Sequence, residues 1–159
     1  MQNNPQSLVA AALLSETVLA LFRASSSLMT AGDRLVAPLG LTSSRWQVLG
    51  TIVAAERPQP VAWLARDMGA SRQNVQRVVN DLLREGLVCT APNSHHRTAL
   101  LVVLTEKGQE AFDQAIALKT PWMNRLALDI EVEDIEAMQR VLATLRARLD
   151  ADMASKDVA

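Results

Sequence analysis

The chain has no tyrosine, two phenylalanines and three tryptophans in 159 residues. Aromatic side chains therefore cannot build its core. Leucine, valine and alanine must fill it, and with 49% hydrophobic residues they suffice. There is one cysteine, Cys89, so no intramolecular disulfide can form. Two histidines and that cysteine give no repeated metal-ligand spacing, and no glycine-rich phosphate loop is present. Enzyme classes that depend on either are excluded, and no cofactor is expected. Glycine and proline number only six each, which with so much alanine and leucine favours a mostly helical fold. Net charge is −1, with no overall excess of base to mark a generic nucleic-acid binder. The one long apolar run, LVAAALLSETVLALF, carries Glu16 and has no basic segment before it. It is expected to be too short and interrupted to span a bilayer, so the reading is a cytoplasmic protein with no membrane partner. The length suggests a single domain, 1–159.

What is present is concentrated in residues 59–104. Val61, Leu64, Ala65 and Met68 lie at i, i+3, i+4 and i+7, one apolar face of a helix opened by Pro58 and Pro60. Gly69 suits the helix end and Ser71 suits the cap of the next. That second helix repeats the pattern with Val75, Val78, Val79 and Leu82, and Gly86 ends it. So short a gap between two helices defines a helix-turn-helix. A short strand at 87–90, a polar turn at 92–98 and an apolar strand at 99–104 predict a β-hairpin wing behind it.

The outer face of the second helix carries the chemistry. Arg pairs bidentately with guanine, and Asn and Gln with adenine, in the major groove. Ser71, Arg72, Gln73, Asn74, Gln76 and Arg77 crowd its N-terminal half, and residues 71–80 contain no acid and no lysine. A merely solvated face is usually rich in Glu and Lys. We therefore expect Gln73, Gln76 and Arg77 to read bases of double-stranded DNA, with Ser71, Arg72 and Arg97 holding phosphate or minor groove. His95 lies in the wing loop beside Arg97 and joins the DNA-binding set. The charge distribution agrees. Residues 59–98 hold five arginines against three acids, whereas 105–159 hold seven bases against eleven acids.

Around this lobe the chain reads as helix. Leu14, Val18, Leu21, Ser25 and Leu28 recur every three or four residues through a long helix at 8–37, stopped by Pro38 and Gly40. That stripe exceeds what a small core absorbs, so part of it is expected to face another subunit. A helix at 41–55, capped by Thr42 or Ser43, should bury Trp46, Leu49, Ile52 and Val53. Thr105 caps a further helix, which Pro121 should kink or split near residues 119–120. The last helix begins after Asp129 and aligns Ile135, Met138, Val141, Leu142, Leu145 and Leu149.

Three other readings compete. Cys89 could sense oxidants, but an apolar LVCT strand should bury it as a small packed side chain. Cys89 with His95 and His96 could be drawn as a metal site, yet the spacing matches no usual zinc pattern. A winged helix can also bind protein, but that needs an apolar recognition face.

The pieces LTSSRWQVL, LARDMGASRQNVQRVVNDLLREGLV and LLVVLTEKG resemble the multiple-antibiotic-resistance regulator (MarR) family over residues 8–150. The resemblance implies a mainly α winged helix-turn-helix with a small β-hairpin wing. It also implies a homodimeric transcription regulator, usually a repressor, released from a palindromic operator by a small aromatic effector. The lobe at 41–104 would bind DNA through a recognition helix at 71–85. The helices at 8–38 and 109–150 would dimerise through Leu14, Val18, Leu21, Leu142, Leu145 and Leu149. Trp46 would lie near the effector cleft. In the wing the chain departs from the family. His96-Arg97-Thr98 stands where Asp-Arg-Arg is common, so the wing would gain positive charge below about pH 6.5.

Overall fold

The computed structural model describes residues 5–94 and 99–156. Their contacts fall into two compact units, Met1–Thr120 and Pro121–Ala159.

The first unit starts with α1, Pro5–Val36, which passes into one 3-10 turn, Ala37–Leu39, ended by Gly40. Only the C-terminal part of α1 reaches the core, through Val36 at 0% exposure. There it locks onto α2, Ser43–Ala54. The Ser43 N–H donates to Asp33 Oδ1 at 2.6 Å and its hydroxyl donates to the Met29 carbonyl at 2.8 Å. A methyl group on Gly32 would stand 2.5 Å from Ser43 Oγ, so only glycine permits this approach. Thr42 caps α2, accepting the Arg45 N–H. The buried face of α2 is Val48, Leu49 and Ile52, not the expected arc through Trp46 and Val53. Helix α2 packs on α1, α3 (Val61–Met68) and α4 (Arg72–Arg84) together, so its core face is centred on Val48; Trp46 is half-buried and Val53 is 38% exposed.

Between α2 and α3 lies a strand that periodicity did not reveal. β1 (Gln59–Pro60) pairs antiparallel with β3 (Leu101–Leu104), Gln59 opposite Val102 and Pro60 opposite Leu101. Pro60 lacks an N–H, and β1 sits at a sheet edge where none is required. β2 (Val88–Ala91) flanks the other side of β3, giving the order β1-β3-β2. β2 has the expected four residues, one position later than 87–90, whereas β3 is shorter than the expected 99–104. Neighbouring residues on a strand point to opposite faces of the sheet. Val88 is buried and Cys89 exposed. The expectation of a packed, shielded Cys89 is thus overturned.

The core gathers Val36, Val48, Leu49, Leu64, Val79, Leu82 and Val102, all essentially sealed from solvent. None is aromatic, as the composition requires. Helix α5 (Glu106–Leu126) leads out of this unit and runs without a break through Pro121, so the predicted split is absent. Immediately before Pro121, the Thr120 hydroxyl donates to the Ile116 carbonyl at 3.1 Å.

The second unit holds the end of α5 and all of α6, Val132–Lys156. Asp129 takes the left-handed conformation, φ 60°, in the turn between them. Along α6, Ile135 and Leu145 are half-buried, while Met138, Val141, Leu142 and Leu149 are exposed.

Helix α1 also corrects a length argument. The span Gln6–Leu39 is long and apolar enough, by length and composition, to cross a membrane. Brevity therefore does not exclude a bilayer for this helix, contrary to the sequence reading.

Candidate nucleic-acid interface

Two helices and their turn set up the reading face. α3 (Val61–Met68) buries Leu64 and Ala65, with Val61 and Met68 half-buried beside them. It closes at Gly69, φ 62°, where the Gly69 N–H reaches Arg66 O at 3.0 Å and the Ala70 N–H reaches Ala65 O at 2.9 Å. This double closure needs the left-handed residue that glycine supplies without strain. The chain turns at once into α4 (Arg72–Arg84), where Ser71 Oγ accepts the Asn74 N–H at 3.3 Å. Val75, Val79 and Leu82 are buried, so the rotation of α4 is fixed and its opposite face must look outward.

That outward face is the one expected. Ser71, Arg72, Gln73, Asn74 and Arg77 are exposed and Gln76 is half-buried. Among the described residues, neither Arg72 nor Arg77 is paired with a carboxylate, so both charges remain available. Gln76 Nε2 donates to Asn80 Oδ1 at 3.0 Å, so Asn80 orients the Gln76 amide. The first acid on the helix, Asp81, is engaged by Arg84 one turn from the C-terminus.

The far end of α4 is latched from two directions. Thr105 donates its hydroxyl to Gly86 O at 2.7 Å and accepts the Gly108 N–H at 3.0 Å. Lys107 Nζ donates to Glu85 O at 2.7 Å. A methyl group on Gly108 would fall on the Leu87 carbonyl oxygen, so α5 can start this close only with glycine there. From the other side, Arg45 of α2 grips both Glu85 carboxylate oxygens at 2.8 and 3.1 Å, and its guanidinium also donates to Gly40 O at 3.2 Å. Thr105 and Gly108, within LLVVLTEKG, therefore hold the end of α4.

Of the wing, both strands and the loop base are described; Asn93 Nδ2 donates to Ala99 O at 3.0 Å and closes that base. His95, His96, Arg97 and Thr98 lie outside the described residues, so the tip contacts assigned to His95 and Arg97 stand as sequence expectations. Among the described residues no group of three or more His, Cys, Asp or Glu is placed to hold a metal ion.

One cluster escaped the sequence reading. Trp63, on the outer side of α3, is 43% exposed. The guanidinium carbons of Arg57 and Arg66 each lie 5.7 Å from its ring centroid. Arg57, Trp63, Arg72 and Gln76 line one hollow of about 950 Å³ between α3, α4 and the sheet. The available signal was a tryptophan off the i, i+3, i+4 apolar set of α3. A smaller hollow of about 450 Å³ is lined by Gln47, Gly50, Thr51 and Met68. Trp46, expected near an effector cleft, packs half-buried against the core and lines neither hollow.

The residues expected at a dimer interface sit on two helices. On α1, Leu14 and Val18 are half-buried and Leu21 is 38% exposed, while Leu13 and Phe22 reach 59% and 67%. On α6, Leu142 and Leu149 are 36% and 60% exposed and Leu145 is half-buried. Both helices thus carry large apolar side chains that are exposed.

Helix, tight turn, outward polar helix and hairpin, with a third strand from before the first helix, define a winged helix-turn-helix. Residues 39–97 match the model of the MarR family. An uncharacterised protein of Mycobacterium tuberculosis is 33% identical over 138 residues, covering 84% of this chain and 95% of that protein. The transcriptional activatory protein BadR of Rhodopseudomonas palustris is 33% identical over 98 residues, 58% of this chain and 54% of BadR. Among solved structures, the transcriptional repressor CouR bound to a 23-mer DNA duplex superposes with a TM-score of 0.72 at 27% identity, over 84% of this chain and 94% of that one. CouR from Rhodococcus jostii RHA1 bound to p-coumaroyl-CoA gives 0.73 at 22% identity, over 84% and 93%. The chain belongs to the MarR family. It is accordingly a transcription regulator and not an enzyme.

Proposed function

We propose that this protein is a homodimeric, sequence-specific repressor that reads a near-palindromic operator through α4 and is released by a small molecule. The observation that carries the DNA reading is the outer face of α4. It shows Arg72, Gln73, Asn74 and Arg77 to solvent, with both arginines unpaired among the described residues. Buried Val75, Val79 and Leu82 fix that face, and the latch at Gly86 fixes the helix end. Gln73, Gln76 and Arg77 read base edges; Ser71, Arg72, His95 and Arg97 contact backbone or minor groove. CouR, similar over most of the chain, has been solved on a DNA duplex, which supports DNA as the partner.

The bare apolar stripes on α1 and α6 are covered by a second copy, through Leu14, Val18 and Leu21 and through Leu142, Leu145 and Leu149. Lipid is a poor cover for α1, because Glu16 and Arg23 are exposed on it and ionised groups are costly in hydrocarbon. DNA as partner places the work in the cytoplasm. Repression is favoured by likeness to the repressor CouR over 84% of the chain, against 58% for the activatory BadR. The p-coumaroyl-CoA complex of CouR supports a small aromatic or acyl effector.

Selecting bound fragments from random-sequence DNA, with and without aromatic acids and their CoA thioesters, tests the whole reading. A symmetric consensus, weakened by one of those compounds, supports it. No enrichment of any sequence refutes it. Transcription in vitro from a promoter carrying the selected site decides the sign.

A further inference from the structure

We infer that Arg57 and Trp63 form a seat for the phosphate backbone of the DNA strand that runs between α4 and the wing. This rests on the DNA-binding reading above and adds a contact that lies on neither the recognition helix nor the wing.

The first observation is an exposed tryptophan with two arginines on it. Trp63 presents 43% of its surface, and both guanidinium carbons stand 5.7 Å from its centroid. Arg66 also lies 3.5 Å from Asp67 Oδ1, so its charge is answered within the chain. Among the described residues Arg57 makes no ion pair. A guanidinium stacked on an indole keeps its edge N–H groups free, and that edge matches two phosphate oxygens. Two cations on one ring also repel, and an anion beside them relieves the repulsion.

The second observation is how Arg57 is delivered. Glu56 sits in the left-handed region, φ 56°, and the Arg57 N–H closes a tight turn onto Ala55 O at 2.6 Å. A glutamate adopts that conformation only where surrounding structure enforces it. Directly after this turn, β1 pairs with β3, so Arg57 and the start of α3 are tied to the wing.

The third observation is placement. Arg57 and Trp63 share their hollow with Arg72 and Gln76 of α4 and with Asn93 and Ser94 at the wing base. When α4 lies in the major groove, the backbone of one flanking strand must pass beside it on the wing side. The cationic shelf of Arg57 faces that path and carries no base-reading group, so its contact is independent of sequence.

The test uses the full chain and two duplexes of about 30 bp, long enough for two half-sites, one carrying the selected site and one of random sequence. Arg57→Ala is expected to weaken both by the same factor, about fivefold at about 0.15 M salt, and to flatten the salt slope by about 0.9 per half-site contact. Arg57→Lys should restore the slope. Trp63→Ala should keep the slope, because the charge remains, yet weaken both duplexes about threefold through loss of the stacking that orients Arg57. Both residues are exposed, and thermal melts by circular dichroism identify the folded variants. If Arg57→Ala leaves affinity and slope unchanged while Arg77→Ala still weakens the selected duplex, the seat is refuted and DNA binding stands. Loss on one sequence only would make Arg57 a base reader and also refutes it. Binding of inorganic phosphate that Arg57→Ala abolishes, with the DNA slope unmoved, assigns the shelf to a small anion instead. Failure of the wild-type protein on both duplexes refutes the DNA reading, and the seat with it.

Discussion

The Thr105 hydroxyl donates to Gly86 O at 2.7 Å, joining the first residue before α5 to the residue that ends α4. The same oxygen accepts the Gly108 N–H at 3.0 Å. One side chain thus caps one helix and anchors the end of another. Thr105→Val keeps the shape and removes both bonds. It should lower stability by about 1–2 kcal/mol, the usual range for losing a cap, read as a drop in denaturant midpoint at unchanged m-value. No change would mean that water replaces both partners.

Gly108→Ala should be more severe. The added methyl meets the Leu87 carbonyl and Leu104, so either α5 or β2 must move. Overpacking of this kind costs about 1–3 kcal/mol. Because the shift falls at the end of α4, operator affinity should fall beyond what unfolding explains, measured well below the melting temperature. A stable variant with full affinity would show that the latch does not orient α4.

Arg77→Ala and Gln76→Ala should each cost about 1–3 kcal/mol, confined to one base step. Affinities for the selected duplex and single-base variants of it check this. Gln76 also donates to Asn80 Oδ1, so Asn80→Ala should loosen the same base preference to a lesser degree. Equal losses on selected and random DNA would overturn the division between base readers and backbone contacts.

Leu142→Asp places a charge on the apolar side of α6, where Leu142 is 36% exposed. Sedimentation should then show a monomer, with weak operator binding because a single half-site holds poorly. An unchanged dimer would remove Leu142 from the interface.

Cys89 is exposed on β2, so a disulfide reagent should titrate one thiol in the native protein without denaturant. Labelling only after unfolding would contradict the strand orientation.

The outward polar face of α4 was legible in the sequence because an apolar stripe dictates what its opposite side must do. Val75, Val79 and Leu82 inward leave Arg72, Gln73 and Arg77 outward. Thr42, Ser71 and Thr105 were legible as caps because each precedes a helix whose first N–H groups lack partners. The rest depended on tertiary partners. β1 is two residues long and exists only through its bonds to β3. Cys89 stands in an unbroken apolar run, and only the strand's orientation in the sheet decides that it points out. The inward face of α2 shifted to Val48 because three helices pack on it. Trp63 lies off the apolar set of α3, and only the fold brings Arg57 and Arg66 onto its ring.

The most direct measurement is hydroxyl-radical footprinting of the full-length protein on its selected duplex. Two equivalent protected patches, with half-site centres about 10 bp apart and related by two-fold symmetry, are the expected result for paired α4 helices in successive major grooves. A single asymmetric patch, or protection that drifts along the duplex without register, would contradict a symmetric dimer reading DNA through α4.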